Sequence, residues 1–272
     1  MKWRVLLDGK LSAAENMAVD EAIMQAISEG KALPTLRFYD WKLPTVSYGY
    51  NQEIAKQIDL QKVKEKGYDY VRRPTGGRAV LHHEEITYAV ISPLKDHLQG
   101  SIIESYAAIS KALKRGLALL GIEADFEKGS VDSHQQRKDA NPCFSSSSRY
   151  ELSYQHRKIV GSAQVRKNDV LLQHGSILLN RDQSGIAEFL PNISEKDGKR
   201  MASFFSRKTS CINRILENPV SFDQAVERLK HGFIKEWQSC EFESISCLSE
   251  VERQIKNSLK TKYLTDEWNI RK

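Results

Sequence analysis

Three extended runs, 150–154, 158–165 and 170–179, follow one another with only short polar segments between them, Gln155-His156-Arg157 and Arg166-Lys167-Asn168-Asp169. Connections this short cannot carry a crossover, so the runs must pair as antiparallel neighbours, a meander. A meander with an apolar face needs a cover. The stretch 101–120 supplies one: Ile102, Tyr106, Ile109, Leu113, Leu117 and Leu120 recur at helical spacing, and Gly121 closes the run.

The same reading extends to both sides. Ser12 and Glu15 form a capping-box pair ahead of a helix over 12–28 that Gly30 ends. Extended runs at 35–39, 45–50 and 68–72 follow, with a charged helix over 59–66 before the third and Gly67 at its end. Residues 78–81 and 86–92 read as strands, whereas 127–148 is polar and aperiodic, a length of loop that compact domains keep for function. Beyond about 181 the pattern turns helical, at 183–189, 203–216, 221–237 with Ser221 as cap, and 249–262. The expected class is α+β: a mixed sheet flanked by helices over 1–215, with a helical C-terminal extension over 216–272 packed on it.

Composition narrows the function classes. With 272 residues, 28% charged and 40% hydrophobic, the chain is that of a folded protein. No apolar run reaches the ~18 residues of a membrane span, and the opening apolar stretch is too short for a signal peptide, so a cytoplasmic home without membrane contact is expected. Cys143, Cys211, Cys240 and Cys247 contain no C-x-x-C pair, which points away from zinc and from a disulfide scaffold. A net charge of +6 suits an acidic partner.

Two clusters carry chemistry. In Arg72-Arg73-Pro74-Thr75-Gly76-Gly77-Arg78-Ala79-Val80-Leu81-His82-His83, the glycines allow backbone N–H groups to approach a ligand and the arginines can hold phosphate or carboxylate oxygens. On pattern alone a Gly-Gly hairpin with solvated arginines fits equally well. Gly161-Ser162-Ala163-Gln164 sets small residues in a strand, which suits either a ligand channel or close packing of a helix; Gln173-His174-Gly175-Ser176 follows.

These segments, with Thr87-Tyr88-x-Val90, His174-Gly175-Ser176-Ile177-Leu178 and a first helix carrying Asn16-Met17-Ala18-x-Asp20-Glu21-Ala22, resemble the lipoate and biotin protein ligase superfamily, in its lipoate branch, over about residues 3–180. The resemblance implies that acyl chain and donor lie between the Gly-Gly-Arg loop and the Gly-Ser-Ala strand, with Arg72, Thr75, Gly76, Gly77, Arg78, His82, Gly161, Ser162, Ala163, Gln164 and His174 binding substrate. Cys143-Phe144, Tyr150-Glu151-Leu152, Lys158 and the closing Lys262-Tyr263-x-x-Asp266-Glu267-Trp268-Asn269 are similar to the cysteine-dependent octanoyltransferases of Gram-positive bacteria. His83 departs from the Asp of many relatives.

That branch implies octanoyl transfer from acyl carrier protein, through a Cys143 thioester assisted by Lys158, to a lysine of a lipoyl-domain protein such as the glycine cleavage H protein. No cofactor, metal or nucleic acid is called for. The chemistry is coherent: a thiol of pKa about 8.5 is mostly protonated at neutral pH, and a neighbouring ammonium favours the thiolate. Thioester exchange followed by aminolysis needs no ATP. Acidic carriers would meet a basic patch, for which Arg72, Arg73 and Arg78 are candidates. Cys211, Cys240 and Cys247 are expected to be buried apolar residues. The alternatives are an ATP-dependent lipoate ligase, an amidotransferase moving octanoate between lipoyl domains, and a non-catalytic nucleic-acid or effector-binding module, which would want interleaved aromatics that the chain lacks.

Overall fold

The computed structural model describes residues 1–126 and 151–271. The elements run β1 (Lys2–Leu11), α1 (Ala13–Ser28), β2 (Thr35–Trp41), β3 (Thr45–Tyr48), α2 (Leu60–Glu65), β4 (Asp69–Arg72), β5 (Val80–His82), β6 (Glu85–Pro93), α3 (Ile102–Ala118) and β7 (Asp125–Phe126). After the undescribed segment come β8 (Leu152–Tyr154), β9 (Arg157–Lys167), β10 (Val170–Leu178), a 3₁₀ segment Gln183–Phe189, α4 (Glu195–Lys208), α5 (Ile212–Ile215), α6 (Phe222–Glu236), β11 (Glu241–Ile245), α7 (Glu250–Leu264) and α8 (Asp266–Asn269). Among the described residues, eight strands form one mixed sheet in the order β11-β1-β2-β6-β10-β9-β8-β7, and β4-β3-β5 form a second, small sheet. The architecture is α+β.

The meander is present. β8, β9 and β10 pair antiparallel in sequence order, and both hairpin turns place two consecutive residues at positive φ, Gln155 and His156 at 48° and 62°, Asn168 and Asp169 at 51° and 57°. That geometry matches the twist of the flanking strands. The cover is also present. α3 starts at a capping box between Ser101 and Glu104 and buries Ile109, Leu113 and Leu117 completely. Each such side chain contributes roughly 1.5–3 kcal/mol. Beside it lies α6, which buries Ala225, Leu229 and Phe233 in the same core; the helices cross where a Cβ on Gly232 would come within 2.3 Å of the Gly116 nitrogen. The opposite face of the sheet is covered by α1, buried on nearly all sides between the sheet and α7.

Two stretches differ from expectation. The helix expected over 203–216 is instead α4 followed, after a break, by α5: Thr209 bridges to Lys158 and the Ser210 N–H donates to the Lys158 carbonyl at 3.0 Å, which takes that backbone out of helical geometry. The C-terminal stretch is not all helical either, since β11 extends the main sheet in parallel with β1. Neither β1 nor β11 shows a clean alternation in sequence; each earns its place as a strand by tertiary pairing. No described helix is long and apolar enough to cross a membrane.

Candidate active site

The alternation of a strand puts Gly161 and Ala163 of β9, His174 and Ser176 of β10, Thr87 of β6, and Tyr39 and Trp41 of β2 on the α1 side of the main sheet. Facing them are Val80 and His82 from the small sheet, with Arg73. Together with Met17 of α1 these residues line a narrow pocket. Small residues on β9 and β10 leave the space; the apolar and aromatic residues wall it.

Each wall holds a buried histidine between a hydroxyl and a carboxylate. On the main sheet, His174 Nε2 meets Thr75 Oγ1 at 2.7 Å and Nδ1 meets Asp20 Oδ2 at 2.9 Å. Burial lowers the His174 pKa, opposed by Asp20, and the imidazole is neutral at pH 7, giving its Nδ1–H to the carboxylate and accepting from Thr75. Burial alone would raise the Asp20 pKa, yet it is held below the usual carboxylate value, chiefly by Arg37, whose guanidinium donates to Asp20 Oδ1 at 2.7 Å and to Asp8 at 2.6 Å. The Tyr39 hydroxyl adds a further bond to Asp20, at 3.1 Å.

On the small sheet, Arg73 donates to Ser47 Oγ at 2.7 Å, Ser47 meets His82 Nε2 at 2.6 Å, and His82 Nδ1 meets Glu85 Oε1 at 3.1 Å. The same Glu85 oxygen accepts from the Trp41 indole at 3.0 Å and from Thr87. Trp41 stacks on His82 with ring centroids 4.2 Å apart.

The glycine–arginine loop is therefore held rather than free. Arg73 ties it to itself through the carbonyls of Gly76 and Arg78, Thr75 pins it to His174, and Gly77 packs so closely on Gly49 that a Cβ there would lie 2.0 Å from the Gly77 oxygen. Arg72, expected to bind substrate, does not line the pocket. Its guanidinium is spent on six backbone carbonyls, those of Gly49, Tyr50, Gln52, Trp268, Asn269 and Arg271, at 2.8–3.2 Å. It fastens the C-terminal residues to the strand that leads into the loop, and Asn269 Oδ1 accepts from the Arg72 N–H at 2.8 Å. With Arg72 and Arg73 both buried, neither builds the basic surface patch expected from charge.

Of the other expected substrate residues, His82, Gly161, Ser162, Ala163 and His174 line the pocket. Gly76, Gly77, Arg78, Thr75 and Gln164 do not; Gln164 bonds Ser105 and Gln173, and Thr75 acts through His174. Ser162 gives its hydroxyl to the far face, 2.7 Å from Tyr88. Lys158 is buried and ion-paired with Glu151 at 2.7 Å. Cys143 lies outside the described residues. Of the other cysteines, Cys211 alone is buried, its thiol pKa raised by that burial, whereas Cys240 is half-buried and Cys247 exposed, against the expectation that all three are core residues. His83 lines a separate polar cleft with Arg181 and Arg214, both paired to acids.

Sequence reasoning did not single out Met17, Tyr39, Trp41, Val80, Thr87 or Ser176 as pocket residues. For Tyr39 and Trp41 the period-2 pattern of β2 carried a signal, since alternate residues of a strand share a face.

Residues 12–234 match the lipoyl protein ligase A/B catalytic domain. The chain belongs to this family. Within it, the chain belongs with the octanoyltransferases, acyltransferases of lipoate biosynthesis. It is 43% identical over 273 residues to the octanoyltransferase LipM of Kyrpidia tusciae, covering 99% of each chain. Against the LipM of Brevibacillus brevis identity is 41%, covering 100% of this chain and 99% of the relative, and against that of Bacillus subtilis 38%, covering 99% and 98%. Among solved structures the fold is shared with a bipartite lipoate protein ligase of Thermoplasma acidophilum, at a TM-score of 0.81 and 24% identity over 99% of this chain and 96% of that one.

Proposed function

We propose that this octanoyltransferase takes its acyl group from octanoyl acyl carrier protein onto Cys143 and delivers it to the ε-amine of a lysine on a lipoyl-domain protein such as the glycine cleavage H protein. The Cys143 thiolate adds to the thioester carbonyl and expels the carrier's pantetheine thiolate, which takes a proton. In the second half-reaction the acceptor amine adds to the new thioester, loses a proton, and releases Cys143, leaving an amide. Each step exchanges one acyl bond for another of equal or lower energy, so ATP is not consumed. Lys158 handles the proton in both halves.

The observation that carries this reading is the full-length identity of 38–43% with octanoyltransferases, set beside a narrow, mostly apolar pocket at the meeting of the two motif segments. Buried Lys158, paired with Glu151, supports a lysine acting beside a nucleophile. Gly161, Ala163, His82 and His174 would contact the acyl chain.

The test is intact mass after mixing with octanoyl carrier protein in the absence of ATP. Wild type gains one octanoyl group that hydroxylamine removes, and then passes it to the acceptor. Cys143→Ala does neither, while Ala at Cys211, Cys240 or Cys247 leaves both intact. Transfer by Cys143→Ala at the wild-type rate would reject the covalent route.

A further inference from the structure

Ser176 is the exception among the pocket's polar side chains. It lies 1% exposed on the pocket wall, and its hydroxyl has no hydrogen-bond partner among the described residues. The polar groups of His82, His174, Tyr39, Trp41, Thr87 and Ser162 are all committed to protein partners. Leaving a buried hydroxyl unpaired costs about 1–3 kcal/mol, so it is kept where a ligand atom completes it.

An acyl chain offers one polar atom, its carbonyl oxygen. Register decides where along the pocket that atom would meet Ser176. Ser176 pairs with Gly161, three residues along β9 from Lys158, whereas His174 pairs with Ala163, farther from Lys158. At about 3.3 Å of rise per residue, the hydroxyl stands roughly 10 Å along the strand direction from the Lys158 position, on the lysine side of the His174 station. Tyr39 stands level with Ser176 across β6, since both pair with Thr87.

We infer that Ser176 donates a hydrogen bond from its hydroxyl to the carbonyl oxygen of the bound acyl group, a bond that strengthens as the oxygen gains negative charge during attack. This rests on the pocket being the acyl site, as proposed above. No proton leaves Ser176: the nucleophile adds to the carbonyl carbon, the π pair moves to the oxygen, and the pair returns as the C–S bond breaks, releasing the carrier's thiolate in the first half-reaction and that of Cys143 in the second. Ser176 stabilises the oxygen throughout.

Because Ser176 holds no group of the described residues in place, Ser176→Ala removes only the proposed bond. Acyl transfer by this variant should fall about 100-fold in kcat with KM for carrier protein little changed, the thermal midpoint should hold, and Ser176→Thr, which restores a hydroxyl, should recover most of the rate. The direct readout is isotope-edited infrared spectroscopy of the protein loaded with octanoyl labelled with carbon-13 at its carbonyl. In wild type and Ser176→Thr the stretch should sit at lower frequency than in Ser176→Ala. An unchanged stretch, meaning that Ser176 meets water or nothing, overturns the inference, as does full activity in Ser176→Ala. Failure of wild type itself to acquire any label would instead reject the pocket as the acyl site of an octanoyl transfer.

Discussion

The two histidine-bearing walls of the pocket look alike in outline and differ in charge. On the main-sheet wall, Asp20 faces a guanidinium, Arg37, at 2.7 Å, so the buried negative charge is matched inside the core. On the small-sheet wall, Glu85 is buried among an indole, an imidazole and a hydroxyl, with its second oxygen unpaired among the described residues. The first wall is a closed ion pair whose loss exposes a naked charge. The second is held by hydrogen bonds to one carboxylate oxygen, and its guanidinium, Arg73, is reached only through Ser47 and His82. The difference teaches that buried charge is matched by direct contact on the His174 wall and only through intervening hydrogen-bonding groups on the His82 wall.

The largest effect that would break this contrast is at Asp20. Asp20→Ala strands Arg37, fully buried, beside a single remaining carboxylate, Asp8, that is partly exposed. The expected loss is about 3–5 kcal/mol of stability in urea unfolding. A loss below about 1 kcal/mol would mean that Asp8 alone neutralises Arg37.

Next comes Arg72→Lys. A lysine keeps the charge but can donate at most three hydrogen bonds where six carbonyls now converge, so the C-terminal residues should come loose. Limited proteolysis should cleave behind α7 in the variant and not in wild type, at a stability loss of roughly 2–3 kcal/mol. An intact tail in the variant would show that packing of Trp268 and Arg271 on Tyr50 is sufficient to hold it.

Glu85→Gln sharpens the comparison from the other side. The amide oxygen can keep the bonds from Trp41 and Thr87, and the charge disappears, so stability should change by no more than about 1 kcal/mol. A loss as large as that at Asp20 would erase the distinction between the walls.

The smallest effect is on pH. His174 and Asp20 both have lowered pKa values in the folded protein. For each, the unfolded chain binds its proton first, so stability rises with pH. The His174 contribution is complete above its ordinary 6.5 and declines as pH falls through it; that of Asp20 declines below 3.8. At the surface, Lys260 holds Glu15 at about 2 against 4.5, so the contact between α7 and α1 weakens between those two values on acidification. Unfolding curves between pH 7 and 5 should therefore show a decline that His174→Gln removes; an unchanged slope in that variant would assign the loss to another group.

Much of the frame was legible because its signals are local. The capping box at Ser12, the turn residues of the meander and the apolar stripe of α3 depend on neighbours within one or two turns of chain. Arg72 shows the limit. Its type and its place beside two glycines suggested a ligand, but six carbonyls from two distant stretches, one at 49–52 and one near the C-terminus, decide its partner. β11 and the break between α4 and α5 were illegible for the same reason, since strand pairing and the bridge to Lys158 come from residues 50 or more positions away.

By itself, then, the sequence determined the α+β class, the meander and its helical cover, and the two motif segments whose resemblance pointed to octanoyl transfer, because periodicity, capping and turn chemistry are written in adjacent residues. Only the tertiary structure decided which of those residues face the pocket. It buried Arg72 and Arg73 as struts, set His82 and His174 in opposed relays, and left the Ser176 hydroxyl unpaired among the described residues. Those outcomes depend on strand register and on which groups share the low-dielectric core, where an unmatched charge or hydroxyl is costly and its partner lies far along the chain.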